Sequence, residues 1–348
     1  MFKNLHIKGF KSFVDETIEL KPLTILTGLN SSGKSSVIQT IRMMENIRRH
    51  NTPLINGYGG FDELYNKSNP AVNRSELLIE LLYNNICYYI KSEKDSNKYA
   101  INNDPNVFFT KLNCILDQII YISADRLGAQ PNLPISTIGL KGLGDKGENV
   151  LSILDYNTNR GIILDERLKP EKAEGVTLDY LVNGWLQYIS PNVKFEYKVE
   201  RKADISYSRY NGFRPTNVGF GLSYTLPIIV GLLVSTIEKG SVVLIENPEA
   251  PLHPKGQTEM AKLIAKCVEC GSQVIVETHS DHLFNGIRIY TKQNPGFNEK
   301  VVAHWFELDK YNNTKVETIN LTPEGRFSEE CPKGFFDQFE INAEELLF

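Results

Sequence analysis

The chain has 348 residues, 41% of them apolar and 23% charged, and its formal net charge is −4. This balance excludes a collagen-like chain, a disulfide scaffold and wholesale disorder, and it leaves no chain-wide basic field for nucleic acid. The longest apolar run, Thr225–Ile237, is shorter than the roughly 20 residues that a membrane-spanning helix needs. Five cysteines at irregular spacing suit free thiols in a reducing compartment. We therefore expect a cytoplasmic protein with no membrane partner.

The first third of the chain predicts short strands around one long helix. Apolar runs and alternation place strands at Leu5–Ile7, Thr17–Leu20, Leu23–Thr27, Ala71–Tyr83 and Ile86–Lys91. The last two flank Asn84-Asn85 and therefore predict an antiparallel hairpin. The amphipathic stretch Ser35–Arg49 predicts the helix.

The last third alternates strands with helices. Helices are predicted at Gly221–Thr236, Lys255–Cys267 and Asp281–Thr291, and strands at Ser241–Ile245, Gln273–Glu277, Val301–Leu308 and Lys315–Leu321. Such alternation is typical of an α/β fold with a largely parallel sheet covered on both faces. The region between Asp125 and Tyr210 interrupts the alternation and is predicted to be an inserted subdomain.

The strongest motif is a glycine-rich loop at residues 28–35, which matches the phosphate-binding pattern GxxxxGK[ST] in full. Gly28 and Gly33 let the backbone curl so that successive amides face phosphate oxygens, at the start of a helix. Lys34 is expected to reach the β- and γ-phosphates, and the Ser35 hydroxyl to bind Mg²⁺. The predicted nucleotide contacts are Gly28, Asn30, Ser31, Ser32, Gly33, Lys34, Ser35 and Ser36.

Two later strands end in polar residues. Glu246 is the first acid after one of them and is predicted to hold Mg²⁺ together with Ser35. Glu249, three residues on, could approach the metal or the attacking water. His279 follows the second strand and could sense a γ-phosphate, although a lone histidine is more often simply packed or exposed. The shared position at strand ends favours function.

Four stretches together resemble a known group of proteins. They are the phosphate loop, Ile7–Phe13 (IKGFKSF), Glu246–Pro254 (ENPEAPLHP) and Glu277–His282 (ETHSDH). They resemble the ATP-binding-cassette (ABC) heads of the SMC, Rad50, RecF and OLD-nuclease branch. Within that branch the chain is similar to compact bacterial AAA-family ATPases with a GFFD tail, here Cys331–Phe339. Many such relatives lie in anti-phage defence loci.

The resemblance implies an α/β P-loop NTPase fold of the ABC head type, with a mixed sheet, an N-terminal antiparallel portion and a small inserted helical/β subdomain. It covers about Met1–Ile55 and Thr216–Phe348 by motif. The expected divisions are an ATPase lobe at 1–124, the inserted subdomain at 125–210, the remaining ATPase core at 211–322 and a tail at 323–348.

The resemblance also implies a mechanism in which two heads form a homodimer, or part of a higher homo-oligomer, around ATP and Mg²⁺. A signature segment of one head, here Asn217–Ser223 with Gly219, Gly221 and Ser223, would cap the γ-phosphate bound by the other head. As an isolated string this segment is weak, because a glycine-rich turn before an apolar helix is common. The resemblance assigns His279 to the γ-phosphate and places Arg126 near the nucleotide.

One residue departs from the family pattern. Where the family has a glutamate that activates water, this chain has Asn247, which cannot accept a proton. Either Glu249 substitutes for it, or hydrolysis is slow and the ATP-bound dimer persists. The predicted catalytic set is Glu246, Asn247, Glu249 and His279.

The function that follows is a slow ATPase acting as the sensor or scaffold subunit of a bacterial anti-phage defence complex. It would control a separate effector, a nuclease or a toxin. The alternative is a RecF-like repair or recombination ATPase that binds DNA as an ATP-dependent clamp, so nucleic acid stays a possible partner. A P-loop kinase is disfavoured, because kinases close a lid over an acceptor instead of dimerising. The CxxC pair Cys267 and Cys270 falls in a predicted helix and is interpreted as two packed thiols.

Overall fold

The computed structural model describes residues 1–67, 76–84, 86–93, 99–101, 119–135, 142–332, 334–336 and 338–347. Residues 71–75 of one predicted strand lie outside this part of the chain. The chain divides into two compact units. The first contains Met1–Ile119 and Pro295–Phe348, and the second contains Ile120–Asn294.

The strands are β1 (Phe2–Lys8), β2 (Asp15–Glu19), β3 (Leu23–Gly28), β4 (Glu76–Tyr83), β5 (Ile86–Glu93), β6 (Tyr99–Ile101), β7 (Ile119–Ile122), β8 (Leu133–Pro134), β9 (Phe195–Glu200), β10 (Ile205–Tyr210), β11 (Val242–Glu246), β12 (Gln273–Glu277), β13 (Val301–Leu308) and β14 (Thr314–Ile319). The α-helices are α1 (Lys34–His50), α2 (Phe61–Leu64), α3 (Val150–Asn159), α4 (Leu178–Ile189), α5 (Phe220–Ser235), α6 (Pro254–Glu269), α7 (Asp281–Gln293) and α8 (Gln338–Leu347).

An antiparallel sheet in the first unit has the strand order β2-β1-β4-β5-β6. Its strands alternate buried and more exposed residues, so one face packs on a core and the other faces outward. Asn84 turns between β4 and β5 with a φ of 45°, a conformation that asparagine tolerates better than most residues. The predicted hairpin is thus confirmed within the described residues.

A second sheet in the first unit brings both ends of the chain together. β13 pairs parallel with β3 and antiparallel with β14. All residues of β3 are buried, as expected for a strand that packs on both faces. In the same unit, Phe335 of the C-terminal tail packs edge-on against Trp305 of β13, with ring centroids 5.8 Å apart.

Within the second unit, the segment from α5 to α7 has the predicted alternation of helices and strands. β11 and β12 run parallel, with Glu246 directly opposite Glu277, and β7 lies beside β11. A small antiparallel sheet has the order β8-β10-β9. α5 is apolar almost all round and buried over most of its length, whereas α6 and α7 are amphipathic. Among the described residues, no helix combines the length and the apolar character needed to cross a bilayer.

The predicted α/β class with a mixed sheet is confirmed. The two compact units divide the chain differently from the four predicted segments, because the first unit combines residues from both ends. A prediction made in chain order has no signal for this pairing, since β3 and β13 are far apart in sequence.

Candidate functional site

The glycine-rich loop of the first unit connects β3 to α1, as predicted. Gly28 and Gly33 have φ angles of 138° and 113°, in the region that favours glycine, and Ser31 between them also has a positive φ of 62°. At Gly28 the need for glycine is also steric, because an added Cβ would lie 2.1 Å from the carbonyl oxygen of Phe306 on β13. The loop can therefore follow this path only with glycine at Gly28.

Residues from β14 and the β1–β2 turn support the loop. The Thr314 hydroxyl donates to the Ser32 carbonyl at 2.8 Å, and the Thr314 amide donates to the Ser12 carbonyl at 2.8 Å. An added Cβ at Gly33 would lie 2.7 Å from the Thr314 hydroxyl oxygen and 2.9 Å from the Phe13 ring. The loop thus rests on side chains from both ends of the chain, which no motif identified.

Lys34 is 3% exposed and lies under the loop. Its ammonium group donates to the carbonyls of Gly28 (3.1 Å) and Leu29 (2.6 Å), so the positive charge is held against the backbone of the glycine-rich loop. The Ser32 hydroxyl also donates to Leu29 O, at 2.7 Å. Of the other predicted contacts, Ser36 is buried, whereas Asn30, Ser31 and Ser35 are exposed.

The start of α1 suits an anion. Its N-cap residue is Gly33, which has no side chain to cap the helix, and the first turn contains no acidic residue. Arg48, Arg49 and His50 lie in the last turn, where cations complement the helix dipole. Amides at a helix start, a buried lysine and the exposed Ser35 hydroxyl together fit the phosphates of a magnesium-bound nucleotide.

In the second unit, two donors orient the carboxylate of Glu246 at the end of β11. Tyr121 on β7 donates its hydroxyl to Oε1 at 3.1 Å, and the Ala124 amide donates to Oε2 at 3.0 Å. Glu246 is partly exposed. A carboxylate fixed at the carboxyl end of a parallel strand can serve as a metal ligand. Tyr121 and Ala124 were not predicted, and no motif marks them.

Arg126 fixes the backbone of the turn that follows β11. The side chain is 2% exposed, and its guanidinium donates to the carbonyls of Ser123 (2.8 Å), Glu246 (2.7 Å), Asn247 (2.8 Å) and Ala250 (3.3 Å). Burial lowers the pKa of Arg126, and the nearby Glu249 carboxylate opposes that effect. The guanidinium of Arg126 is thus engaged by main-chain acceptors inside the protein, and its position near a nucleotide stays a prediction.

The turn after β11 is also tied to the end of β12. Asn247 has a φ of 45°, and its amide donates to the Glu277 carbonyl at 2.9 Å. The Glu249 carboxylate accepts from the Thr278 hydroxyl at Oε2 and from the His279 amide at Oε1, both at 2.8 Å. The structure therefore brings Glu246, Asn247, Glu249 and His279 together at the carboxyl ends of β11 and β12. Their chemical roles stay predictions.

The predicted signature segment lies at the start of α5. Gly219 is the N-cap residue, without a side-chain cap, and the first turn of α5 contains no acid. Gly219 is exposed, and no heavy atom lies within 4 Å of a Cβ added to it. Gly221 and Ser223 are partly buried. This open helix start in the second unit resembles the start of α1 in being free of acidic side chains.

The family is shown by a model described as an AAA ATPase domain, which matches residues 1–76 and 61–284. The chain belongs to this ATPase family. A second model, described as a protein of unknown function (DUF3696), matches residues 298–346, which include β13, β14 and all but the last two residues of the tail. A search of curated proteins found no match.

Solved structures of SMC head domains share the fold. One, an SMC head bound to the C-terminal winged-helix domain of ScpA, is 14% identical with a TM-score of 0.58 over 92% of this chain and 98% of its own. The SMC head from Thermotoga maritima is 14% identical with a TM-score of 0.53 over 92% and 99%. An SMC head with an extended coiled coil, bound to the C-terminal domain of ScpA, derives from Pyrococcus furiosus. It is 12% identical with a TM-score of 0.57 over 100% and 99%.

Proposed function

We propose that the protein is a slow ATPase that binds magnesium-ATP in the loop at residues 28–36 and dimerises around it. The observation that carries this proposal is the loop itself, with two glycines at positive φ, a buried Lys34 and an uncapped helix start. Lys34 would pair with the β- and γ-phosphates. Ser35 and Glu246 would hold Mg²⁺, which neutralises phosphate charge.

The second copy would supply the segment Gly219–Ser223. The start of α5 supports this contribution. It is exposed at Gly219, its first turn contains no acidic residue, and its free main-chain amides can bind an anion. His279, exposed at the end of β12, would contact the γ-phosphate. The resulting assembly is a homodimer, or a higher homo-oligomer, that forms when ATP is present.

Slow hydrolysis is supported by Asn247. Its amide group cannot take a proton from water, and its backbone is fixed by Glu277 and Arg126. A dimer that hydrolyses ATP slowly persists long enough to act as a switch. This persistence is the basis of the sensor or scaffold role.

The wider role rests on the resemblance of the four sequence stretches and of the tail. We propose that the ATP-bound dimer is a subunit of a bacterial anti-phage defence complex in the cytoplasm, and that it controls a separate nuclease or toxin. ATP-dependent DNA binding with a steep salt dependence would instead favour the RecF-like clamp.

Complementation between two inactive variants tests the shared site. Lys34→Ala removes the phosphate contact, which is expected to weaken ATP binding by about 1.5–3 kcal/mol. Gly219→Asp adds a negative charge at the open helix start, where the side chain meets no neighbour. Each variant alone should lose ATP-dependent dimerisation, measured as molecular mass with and without ATP and Mg²⁺. Their mixture should recover part of the dimer and of the ATPase activity, because one site per mixed dimer is intact.

Gly219→Asn is the matched control, since it adds the same volume without the charge and should dimerise nearly as the wild type does. Wild-type protein that ignores ATP would contradict nucleotide binding. A wild-type protein that binds ATP as a monomer, or variants that fail to complement, would contradict the shared site and leave ATP binding intact.

A further inference from the structure

The carboxylates of Glu249 and Glu246 are held by different neighbours. Each oxygen of its carboxylate accepts a hydrogen bond, and both donors, the Thr278 hydroxyl and the His279 amide, come from the segment that follows β12. Glu246 differs, because its donors lie at the end of β7 and just after it. The two glutamates are therefore fixed toward different neighbours.

Three hydrogen bonds connect the turn after β11 to the turn after β12. The first continues the ladder from Asn247 N–H to Glu277 O, and the other two end on the Glu249 side chain. The Arg126 guanidinium holds the main-chain carbonyls of Asn247 and Ala250, which lie before and after Glu249 in the chain. The backbone that carries Glu249 is thus fixed, and its carboxylate in turn fixes the amide of His279.

Thr278 strengthens this connection. It is fully buried, and its hydroxyl oxygen accepts from the Ser280 amide at 3.0 Å while its hydroxyl donates to Glu249. Ser280 caps α7 by accepting from the Leu283 amide at 2.9 Å. His279 lies between these two fixed residues, so the main-chain position from which its exposed side chain extends depends on the contacts of Glu249.

We propose that Glu249 is a positioning residue, which holds His279 at the γ-phosphate, and is not the base that activates water. This inference rests on the proposed function, because it assigns a partner to His279 within the same site. It resolves the two interpretations of Asn247 in favour of slow hydrolysis without a substitute base.

Glu249→Gln and Glu249→Ala separate the two roles. Glutamine can accept from the His279 amide with its oxygen and donate to the Thr278 hydroxyl with its nitrogen, but it cannot take a proton. Alanine loses both contacts. If Glu249 positions His279, Glu249→Ala should lower kcat by roughly 10- to 100-fold, because His279 is then misplaced. Glu249→Gln should restore most of this rate, with the Kd for ATP little changed in both variants.

Thr278 supplies a matched pair from the other side of the contact. Thr278→Ser keeps the hydroxyl and should retain the rate, whereas Thr278→Val removes it and should lower kcat in the same direction as Glu249→Ala. The double variant Glu249→Ala/Thr278→Val should be little slower than Glu249→Ala alone, because Glu249→Ala already removes the contact with the Thr278 hydroxyl. Thermal unfolding of each variant separates loss of fold from loss of rate.

The outcomes are distinguishable. If Glu249→Gln is as inactive as Glu249→Ala, Glu249 acts as the base, so the inference is wrong and the proposed ATPase is not. A rate for Glu249→Ala equal to that of the wild type also overturns it. Wild-type protein that neither binds nor hydrolyses ATP overturns the proposed function itself.

Discussion

The phosphate loop and the turn after β11 both present polar groups at the end of a buried strand, but they are held in different ways. The loop gets its path from glycine φ angles and from the close approach of Phe306. The turn gets its path from side chains, Arg126 and Glu249, which bond to groups distant in sequence. A path set by glycines leaves a short pattern in the sequence, whereas a path set by distant side chains leaves almost none.

Removing a glycine from the loop should have the largest effect on stability. Gly28→Ala forces a side chain to within 2.1 Å of a backbone oxygen at a φ of 138°, so we expect a loss of about 4 kcal/mol in the free energy of unfolding. Gly212→Ala is the control, since its φ of 81° is also positive but no atom lies within 4 Å. It should cost roughly 1 kcal/mol. Urea denaturation measures both, and equal losses would show that backbone strain alone matters.

Removing the guanidinium should have the next largest effect, on the turn. Arg126→Met keeps the apolar stem but leaves the buried carbonyls without their charged donor, which we expect to cost about 3 kcal/mol in unfolding free energy. Arg126→Lys should retain only part of this stability, because a single ammonium group cannot reach all four carbonyl acceptors. Unchanged unfolding free energy in Arg126→Met would show that the turn after β11 is stable without the guanidinium. ATP binding at the loop should change little in either variant.

These two regions show what the sequence could and could not predict. The strand-loop-helix unit of β3 and α1 followed from Gly28, Gly33 and an amphipathic helix, and α1 begins one residue before the predicted start. The α/β class followed from alternating apolar segments. The support from Thr314, the contacts of Arg126 and the donors to Glu246 could not be predicted. They depend on which distant strands meet, and single residues carry no periodic signal of that pairing.

Restoring a carboxylate next to Glu246 should have a smaller effect, on the rate. Asn247→Glu offers a group that can accept a proton, so kcat for ATP hydrolysis should rise roughly 10-fold. Asn247→Gln is the matched control, because it shares the length and the backbone strain at a φ of 45° but not the charge. A rate in Asn247→Glu that is unchanged or lower would argue against slow hydrolysis as the consequence of Asn247.

The smallest expected effect lies in the antiparallel sheet of the first unit. Burial lowers the pKa of His6, but hydrogen bonds to Asp15 (2.7 Å) and Glu80 (2.8 Å) outweigh it, so the pKa is raised overall. The resulting stability is fully present below a pH of about 6.5 and is lost as the pH rises through the folded-state pKa. His6→Asn should therefore cost up to about 1 kcal/mol at acidic pH and less at pH above 8. Urea denaturation at acidic pH and at pH above 8 measures both losses. An equal loss of unfolding free energy at the two pH values would contradict this assignment.

The pairing of β3 with β13 has a consequence for synthesis of the protein. When a ribosome has made the glycine loop, the strand that lies against it, with Phe306 opposite Gly28, is still untranslated. Contacts so distant in sequence form slowly and only after the intervening chain has emerged. In a nascent chain, the glycine-rich loop therefore cannot complete its contacts with β13 early. ATP can stabilise the fold only once translation has passed β13, which makes ligand capture a late step in biogenesis.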